Sequence, residues 1–491
     1  MKRKGLTQLN ISVTILHQVI TSLCALILPR FILTAFGSET NGLLQSVSQI
    51  LSYTTLMELG IGGVVLASLY KPLAMGDNER ISGIFNETVR FFKRILVVFV
   101  LFSLALSLCA KFFIKTSFDY GYVFFIVLIL ALNVYFNYYF GLPHQLLLKA
   151  DRRLYVVQSV QMITTVVNLL VCIWAIELGA GIHTVKLVSA AVFIANPVVY
   201  RLYVKKHYII DTNIKSKSLN QKKEATVHHL AYFIHRNTDI VIISSFLSLA
   251  SASVYSVYSA VIVAIENLLN AISSGVAGTI GNILAKGEEQ NLEKSFGLHE
   301  SVNTFLSTAV FSVAGIMILP FVKIYTSGVT DVEYIQPVFA VFILAAGFVY
   351  CLRIPYASLI STAGHYKETK TGAIGEVCIN LTLSLLLVKP MGICGVALGT
   401  LCAMGFRTIY MVWYLSKNIL HRPILKFVKS FGVNIAVGIV LICLFERFTE
   451  IDAESIWGLI PYGVGVSVVV FGVLAVINTI INFDFIRKVR R

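Results

Sequence analysis

The sequence predicts an all-α polytopic membrane protein of about fourteen transmembrane helices, expected as two parallel-repeat six-helix lobes in a V plus two C-terminal helices. Three observations predict it: a composition too apolar for a water-facing surface, bilayer-length apolar runs from end to end, and a one-sided distribution of Lys and Arg. Hydrophobic residues make up 57% of the chain and charged residues 13%, where soluble globular proteins carry roughly 25%. Most of such a surface must meet lipid.

A bilayer core takes about 20 apolar residues per helix, within a range of about 17 to 25. Fourteen stretches qualify, near 10–35, 41–70, 91–114, 120–144, 155–177, 182–203, 229–249, 253–285, 301–326, 335–362, 371–389, 392–416, 428–446 and 456–482. No signal-peptide pattern opens the chain; the first apolar stretch is too long for one and is expected as a retained span. The second and eighth are overlong and rich in glycine (Gly60, Gly62, Gly63; Gly275, Gly278, Gly281), so bends or tilt are expected there.

The basic residues test this count. With the N-terminus on the cytoplasmic side, thirty Lys and Arg fall on inner segments and five on outer loops (Lys111, Lys115, Lys323, Lys389, Arg447). That is the bias of the positive-inside rule, and both termini are expected on the cytoplasmic side. The net charge of +15 is then explained by basic loops facing an anionic leaflet, with no nucleic-acid partner needed.

An internal repeat divides the chain. Ala74-Met75-Gly76-Asp77 matches Ala285-Lys286-Gly287-Glu288; Pro143 matches Pro355, Asn168 matches Asn380, and Gly181-Ile182 matches Gly392-Ile393, all at offsets of 211 or 212. Six spans per unit is an even number, so the repeat is parallel. Lobes are expected at 1–213 and 214–425, with 426–491 an addition of two spans and a basic tail. The polar segment 204–228 reads as a cytoplasmic linker.

Several classes are excluded. No G-x-x-x-x-G-K-[ST] loop appears, which argues against ATP hydrolysis by this chain. Nothing resembles a repeated pore filter. No outer segment is long enough for the external loop of a glycan polymerase or ligase, so a secondary transporter is expected rather than an enzyme. The eight cysteines lie mostly in apolar runs without C-x-x-C or His spacing, and read as core residues rather than metal ligands.

Particular residues carry a family resemblance. The stretch His235-Arg236-Asn237-Thr238-Asp239-Ile240-Val241-Ile242, continued by Ser251 to Ser259, resembles the Wzx-type polysaccharide flippases of the multidrug/oligosaccharidyl-lipid/polysaccharide (MOP) exporter superfamily. Asn41-Gly42-Leu43-Leu44-Gln45 through Glu58-Leu59-Gly60-Ile61-Gly62 and Ala363-Gly364-His365-Tyr366 are similar to the same family. The resemblance implies an undecaprenyl-pyrophosphate-linked repeat unit moved from the inner to the outer leaflet by alternating access, for capsule or O-antigen export alongside polymerase machinery. A lipid II flippase and a multidrug cation antiporter are the rival readings.

Charges inside spans are costly, roughly 2.5 to 3.5 kcal/mol each at the bilayer centre on insertion scales, so they face a cavity or a partner. Arg30, Arg236 and Arg353 are the candidates for a pyrophosphate, because a guanidinium fork binds phosphate oxygens bidentately. Arg30 also reads as able to snorkel, and Arg353 as able to reach headgroups. Arg236 and Asp239 are three residues apart and suited to neutralise each other. Arg407, in a span that bears Tyr410, Trp413 and Tyr414, reads as a packing or anchoring residue. Glu58, Asp239, Glu266 and Glu376 are the candidates for pairing, gating or coupling to protons or sodium. Sugar hydroxyls call for amide, hydroxyl and aromatic partners, supplied by Gln45, Gln49, Asn133, Asn137, Tyr138, Asn168, Tyr255 and Asn267, with Tyr135 beside them. His17 and His228 read as interfacial groups.

Overall fold

Apolar stretches without turn formers propagate as long helices, because in lipid every backbone group must find its partner within the segment. The computed structural model describes residues 3–54, 61–214, 233, 237–448 and 455–481, and among them it is all-helical, with no strand. Eleven of the described helices are long and apolar enough to cross a membrane, so this is a multi-pass membrane protein.

Three of the fourteen expected spans, the second, fourth and seventh, are not among these eleven. α1 (Arg3–Ser52) is interrupted at Gly37, whose φ of 79° and ψ of 174° leave helical space. That break falls between the first two expected spans. The second span resumes as α2 (Ile61–Met75) after residues 55–60, which lie outside the described residues. α3 (Asn78–Phe113) follows, started by Asp77, whose side chain accepts from the Arg80 amide at 3.0 Å. The fourth span is divided: α4 (Tyr120–Phe136) passes through a π turn at Asn137–Gly141 into α5 (Leu142–Ala150). Of the seventh span only part is described.

α6 (Leu154–Glu177) and α7 (Ile182–His207) complete the first set. The expected linker does not begin at Val204. The chain stays helical to His207, and residues 208–214 are fastened down: Asn86 Nδ2 donates to the carbonyls of Asp211 (2.7 Å) and Ile214 (3.0 Å). Tyr208 donates its hydroxyl to the Asp151 carboxylate. Burial first, then that carboxylate, push the Tyr208 phenol above its ordinary range. The rest of the expected linker lies outside the described residues.

α8 (Asp239–Phe246), α9 (Leu249–Ala285), α10 (Glu289–Tyr325), α11 (Pro337–Leu352), α12 (Ile354–Ala363), α13 (Tyr366–Met391) and α14 (Ile393–Asn418) come next. α15 (Leu425–Phe448) and α16 (Ile456–Ile481) end the described chain. α9 runs unbroken through Gly275, Gly278 and Gly281. The chain forms two compact units: Met1–Phe233 with Ser244–Ser253, and Ile234–Ile243 with Val254–Arg491.

The first unit has two buried clusters, one around Leu43, Val47, Phe99 and Val127, the other around Leu69, Phe92, Leu147 and Tyr200. Its tightest backbone approach is Gly42 of α1 against Leu249: a Cβ at Gly42 would stand 1.8 Å from the Leu249 carbonyl oxygen. Next to it, Asn41 Nδ2 donates to Ser253 Oγ at 2.8 Å. In the second unit α15 and α16 pack on α10 through Ala309, Ile316, Leu441 and Val470. Asn434 and Asn478 exchange side-chain hydrogen bonds there, at 2.9 and 3.4 Å.

Positions matched by the repeat share local structure. Gly76 and Gly287 both adopt left-handed φ (68° and 69°) between consecutive helices. Pro143 and Pro355 both stand in the first turn of a short helix, α5 and α12. Arg153 donates to the Tyr203 hydroxyl at 3.1 Å, and at the matched positions His365 Nδ1 meets the Tyr414 hydroxyl at 2.8 Å.

The close approach at Gly42 sets a test. Gly42→Ala should destabilise the detergent-solubilised protein by at least the overpacking cost of about 1–3 kcal/mol, read as a lower melting temperature. Gly278→Ala, where an added Cβ meets nothing within 4 Å, should leave the melting temperature unchanged. Equal effects would show that Gly42 is not a contact point.

Candidate functional site

The second unit gathers the intramembrane charges. Arg353 stands at the junction of α11 and α12, where Pro355 lacks the amide that would bond the Cys351 carbonyl. Asn303 Nδ2 on α10 occupies that carbonyl instead, at 2.8 Å. Arg353 Nη1 donates to Glu376 Oε1 on α13 at 2.6 Å, and its guanidinium lies 4.8 Å from the Tyr350 ring centre. The other Glu376 oxygen faces Arg407 Nε on α14 at 3.6 Å, while Arg407 Nη1 donates to the Thr369 carbonyl at 3.0 Å. All three side chains are buried, at 6%, 3% and 2% exposure for Arg353, Glu376 and Arg407.

Glu266 on α9 is also buried and within electrostatic reach of Arg353. Arg407, read from sequence as packing, is a member of this cluster.

Asp239 occupies a separate polar centre in the same unit. Its Oδ2 accepts from Tyr255 Oη and from Thr400 Oγ1, both at 2.7 Å, and Asn380 Nδ2 donates to Thr400 Oγ1 at 3.0 Å. Asp239 Oδ1 and Asn380 Oδ1 are buried with no hydrogen-bond partner among the described residues. Orphaned buried acceptors are expensive.

The other candidates divide. Arg30 is half-buried on α1, and no carboxylate among the described residues pairs with it. Arg236, Glu58 and His228 lie outside the described residues. Asn133 and Asn137 line a polar cavity in the first unit, and His17 lines it too. Tyr138 packs against Phe92 and Phe99 in the core, and Asn168 is buried with its Oδ1 accepting from the Cys172 thiol. Gln45, Gln49 and Asn267 are half-buried.

Sequence reasoning passed over Thr400, Gln161, Thr165 and Asn196. The α6 residues had a signal: Gln158, Gln161, Thr165 and Asn168 recur at three- or four-residue spacing, a polar stripe on an otherwise apolar helix. Thr400 had none, because a lone threonine in a span usually bonds its own helix. A second ion pair also went unread. Arg422 donates to both Glu300 oxygens at 2.7 Å each, and Tyr356 donates its hydroxyl to the same carboxylate.

No protein-family model matches the chain, and no curated protein matches it. Solved structures do. The inward closed conformation of the lipid II flippase MurJ superposes with a TM-score of 0.71 at 14% identity, covering 97% of this chain and 99% of that one. An inward-facing multidrug resistance MATE family transporter of the MOP superfamily gives 0.59 at 12% identity, over 88% and 96%. The MATE multidrug transporter DinF-BH, in a ligand complex, gives 0.57 at 17%, over 86% and 98%. The chain therefore has the fold of these proteins.

Glu376 touches both guanidiniums, whereas Arg353 touches one of the two arginine-bound carboxylate oxygens. Removing one partner of a buried pair costs about 3–5 kcal/mol. Glu376→Met should therefore lower the melting temperature more than Arg353→Met, which leaves Glu376 with Arg407. The reverse order, read by thermal unfolding of the two variants, would show that Glu376 is not the centre of the cluster.

Proposed function

We propose that the protein is a flippase, a secondary transporter rather than an enzyme. It carries an undecaprenyl-pyrophosphate-linked oligosaccharide repeat unit from the inner to the outer leaflet of the cytoplasmic membrane, by alternating access, for surface polysaccharide synthesis. The observation that supports it most is a MurJ-like fold over 97% of the chain combined with an intramembrane cavity whose wall is amide, hydroxyl and imidazole, the chemistry a glycan needs. Lipid II is the second reading, because it is also a glycan on a lipid and the MurJ structure carries that name. A multidrug antiporter is the weaker reading. The MATE likenesses cover 88% and 86% of the chain, and Glu376 is engaged by two arginines instead of standing ready for a drug cation.

Within this reading Arg30, without a carboxylate of its own among the described residues, is the first cation for the pyrophosphate. Arg236 and Arg353 are the further candidates. Asp239, with its orphaned oxygen beside that of Asn380, is the group we assign to the coupling proton or sodium ion. Glu266 and Glu376 hold the arginines, and Glu58 is kept as a coupling candidate.

A deletion strain tests the substrate. Lipid-linked oligosaccharide should accumulate on the cytoplasmic face while surface polysaccharide disappears; lysis with normal surface glycan would transfer the assignment to lipid II. Normal glycan and normal growth with raised sensitivity to cationic drugs would sink both. For coupling, Asp239→Asn keeps the size and the two hydroxyl contacts while removing the charge. Export by this variant should lose its dependence on external pH or sodium, measured in everted vesicles, and unchanged dependence would return Asp239 to a structural role.

A further inference from the structure

The first unit contains a cavity of about 260 Å3, walled by α1, α4, the π turn, α5, α6 and α7. Asn133, Asn137 and Gln145 form one part of the wall. Gln161 and Thr165 of α6 and Asn196 of α7 form another, with His17 from α1. Phe193 and Pro197 are its apolar members, and no Lys, Arg, Asp or Glu lines it.

Most of the hydrogen-bonding capacity of this wall is unspent. Gln145 Nε2 donates to Asn137 Oδ1 at 3.2 Å, and Thr164 Oγ1 to Asn196 Oδ1 at 2.7 Å. Those two contacts fix the amides and leave Asn137 Nδ2 and Asn196 Nδ2 open to the cavity. The side chains of Asn133, Gln161 and Thr165 bond no described residue. Seven polar side chains thus converge on one space in a chain otherwise poor in them.

The backbone is bent around the same space. The π turn at Asn137–Gly141 adds a residue to the helix and turns Asn137 toward the cavity. Gly141 lets it sit there, since a Cβ at that position would stand 2.5 Å from Asn137 Oδ1. Pro197 interrupts α7 beside Asn196.

Chemistry and size together select the occupant. Amides present donors and acceptors side by side, matching hydroxyls that do both. An ionised ligand would find no counter-charge. The volume of about 260 Å3 is ample for one sugar ring. Phe193 in the lining supplies an aromatic ring of the kind that packs against the C–H side of a sugar.

We propose that this cavity is a binding site for a single neutral sugar ring, a hexose or N-acetylhexosamine; the proposal rests on the reading of the protein as a glycan carrier. It gives the first unit its own recognition site, separate from the charged cluster of the second.

Saturation-transfer NMR on the full-length protein in nanodiscs tests it, with glucose, N-acetylglucosamine, glucuronate and tetramethylammonium as probes. Glucose or N-acetylglucosamine should show transfer. Gln161→Leu and Asn196→Leu should weaken it about three- to tenfold, as loss of one or two hydrogen bonds would. Gly141→Ala, which displaces Asn137, should weaken it while leaving the melting temperature within the range of the other variants. Transfer to tetramethylammonium or glucuronate but to neither neutral sugar would overturn the proposal. So would neutral-sugar transfer that survives all three substitutions, or no transfer to any probe at tens of millimolar. The deletion phenotype is independent of this readout. Sugar binding with unaltered surface glycan would keep the site and remove the flippase assignment, whereas lost export with no sugar binding would do the opposite.

Discussion

A guanidinium in a low-dielectric layer is tolerable only beside a carboxylate, and a carboxylate that serves two of them fixes three helices at once. Glu376 does this: Oε1 takes Arg353 from the α11–α12 junction and Oε2 faces Arg407 from α14. Coulomb attraction at these distances is strong where water is excluded, but so is the desolvation cost of each ion. The cluster therefore contributes geometry more than net stability. It holds the broken helix α11–α12 against α13 and α14, which also carry the partners of Asp239, Asn380 and Thr400. The position of the coupling candidate thus follows from where the arginines are paired.

The same accounting applies to the backbone. Each proline-started half-helix frees a carbonyl in the membrane, and the structure answers by local means. Asn303 caps Cys351 where Pro355 has removed the donor, and a π turn absorbs the strain ahead of Pro143. These are the two places where repeat-matched spans stop being simple helices. They are also where the polar content of each unit collects: Arg353 at one, Asn137 and Gln145 at the other. A helix that must be broken supplies side chains pointing off the regular stripe, and a membrane protein has few other ways to direct polar groups inward.

Much of this is legible in the sequence, for physical reasons. Helix content follows from composition, and the repeat can be read because glycine and proline at equivalent turns do not tolerate replacement: Gly76 and Gly287 need positive φ, Pro143 and Pro355 suit a first turn. Span number is less legible. Hydropathy does not distinguish a continuous helix from one with a kink at Gly37 or a π turn at Asn137. Pairing is the least legible. Arg353, Glu376 and Arg407 are 23 and 31 residues apart in sequence, and nothing local in the chain says that Glu376 faces both arginines. The sequence argument for Arg407 as packing draws on its aromatic neighbours Tyr410 and Trp413, which do not neutralise it. His17 reads as interfacial because proximity to a membrane edge says nothing of Gln161 and Asn196, which line the same cavity.

The two units have kept one frame and diverged in chemistry. Asn168 and Asn380 are matched by the repeat and both are buried, yet Asn380 belongs to an acidic centre with an orphaned oxygen, whereas Asn168 accepts from a thiol in a core. Around the first unit's cavity every polar group is uncharged; the second unit has the three ion contacts of Glu376 and Glu300 and a buried aspartate. For a carrier of a ligand that is part glycan and part pyrophosphate, this is an economical arrangement. A neutral wall recognises hydroxyls without the desolvation cost of charge, and a charged unit responds to an ion. A symmetric pair of units would have to compromise between the two, since a carboxylate near the sugar wall would raise the cost of burying an uncharged ring, and a neutral residue at Asp239 would leave nothing for a driving ion to bind. On the proposed reading, divergence at matched positions would let one fold hold a glycan in one unit and bind an ion in the other.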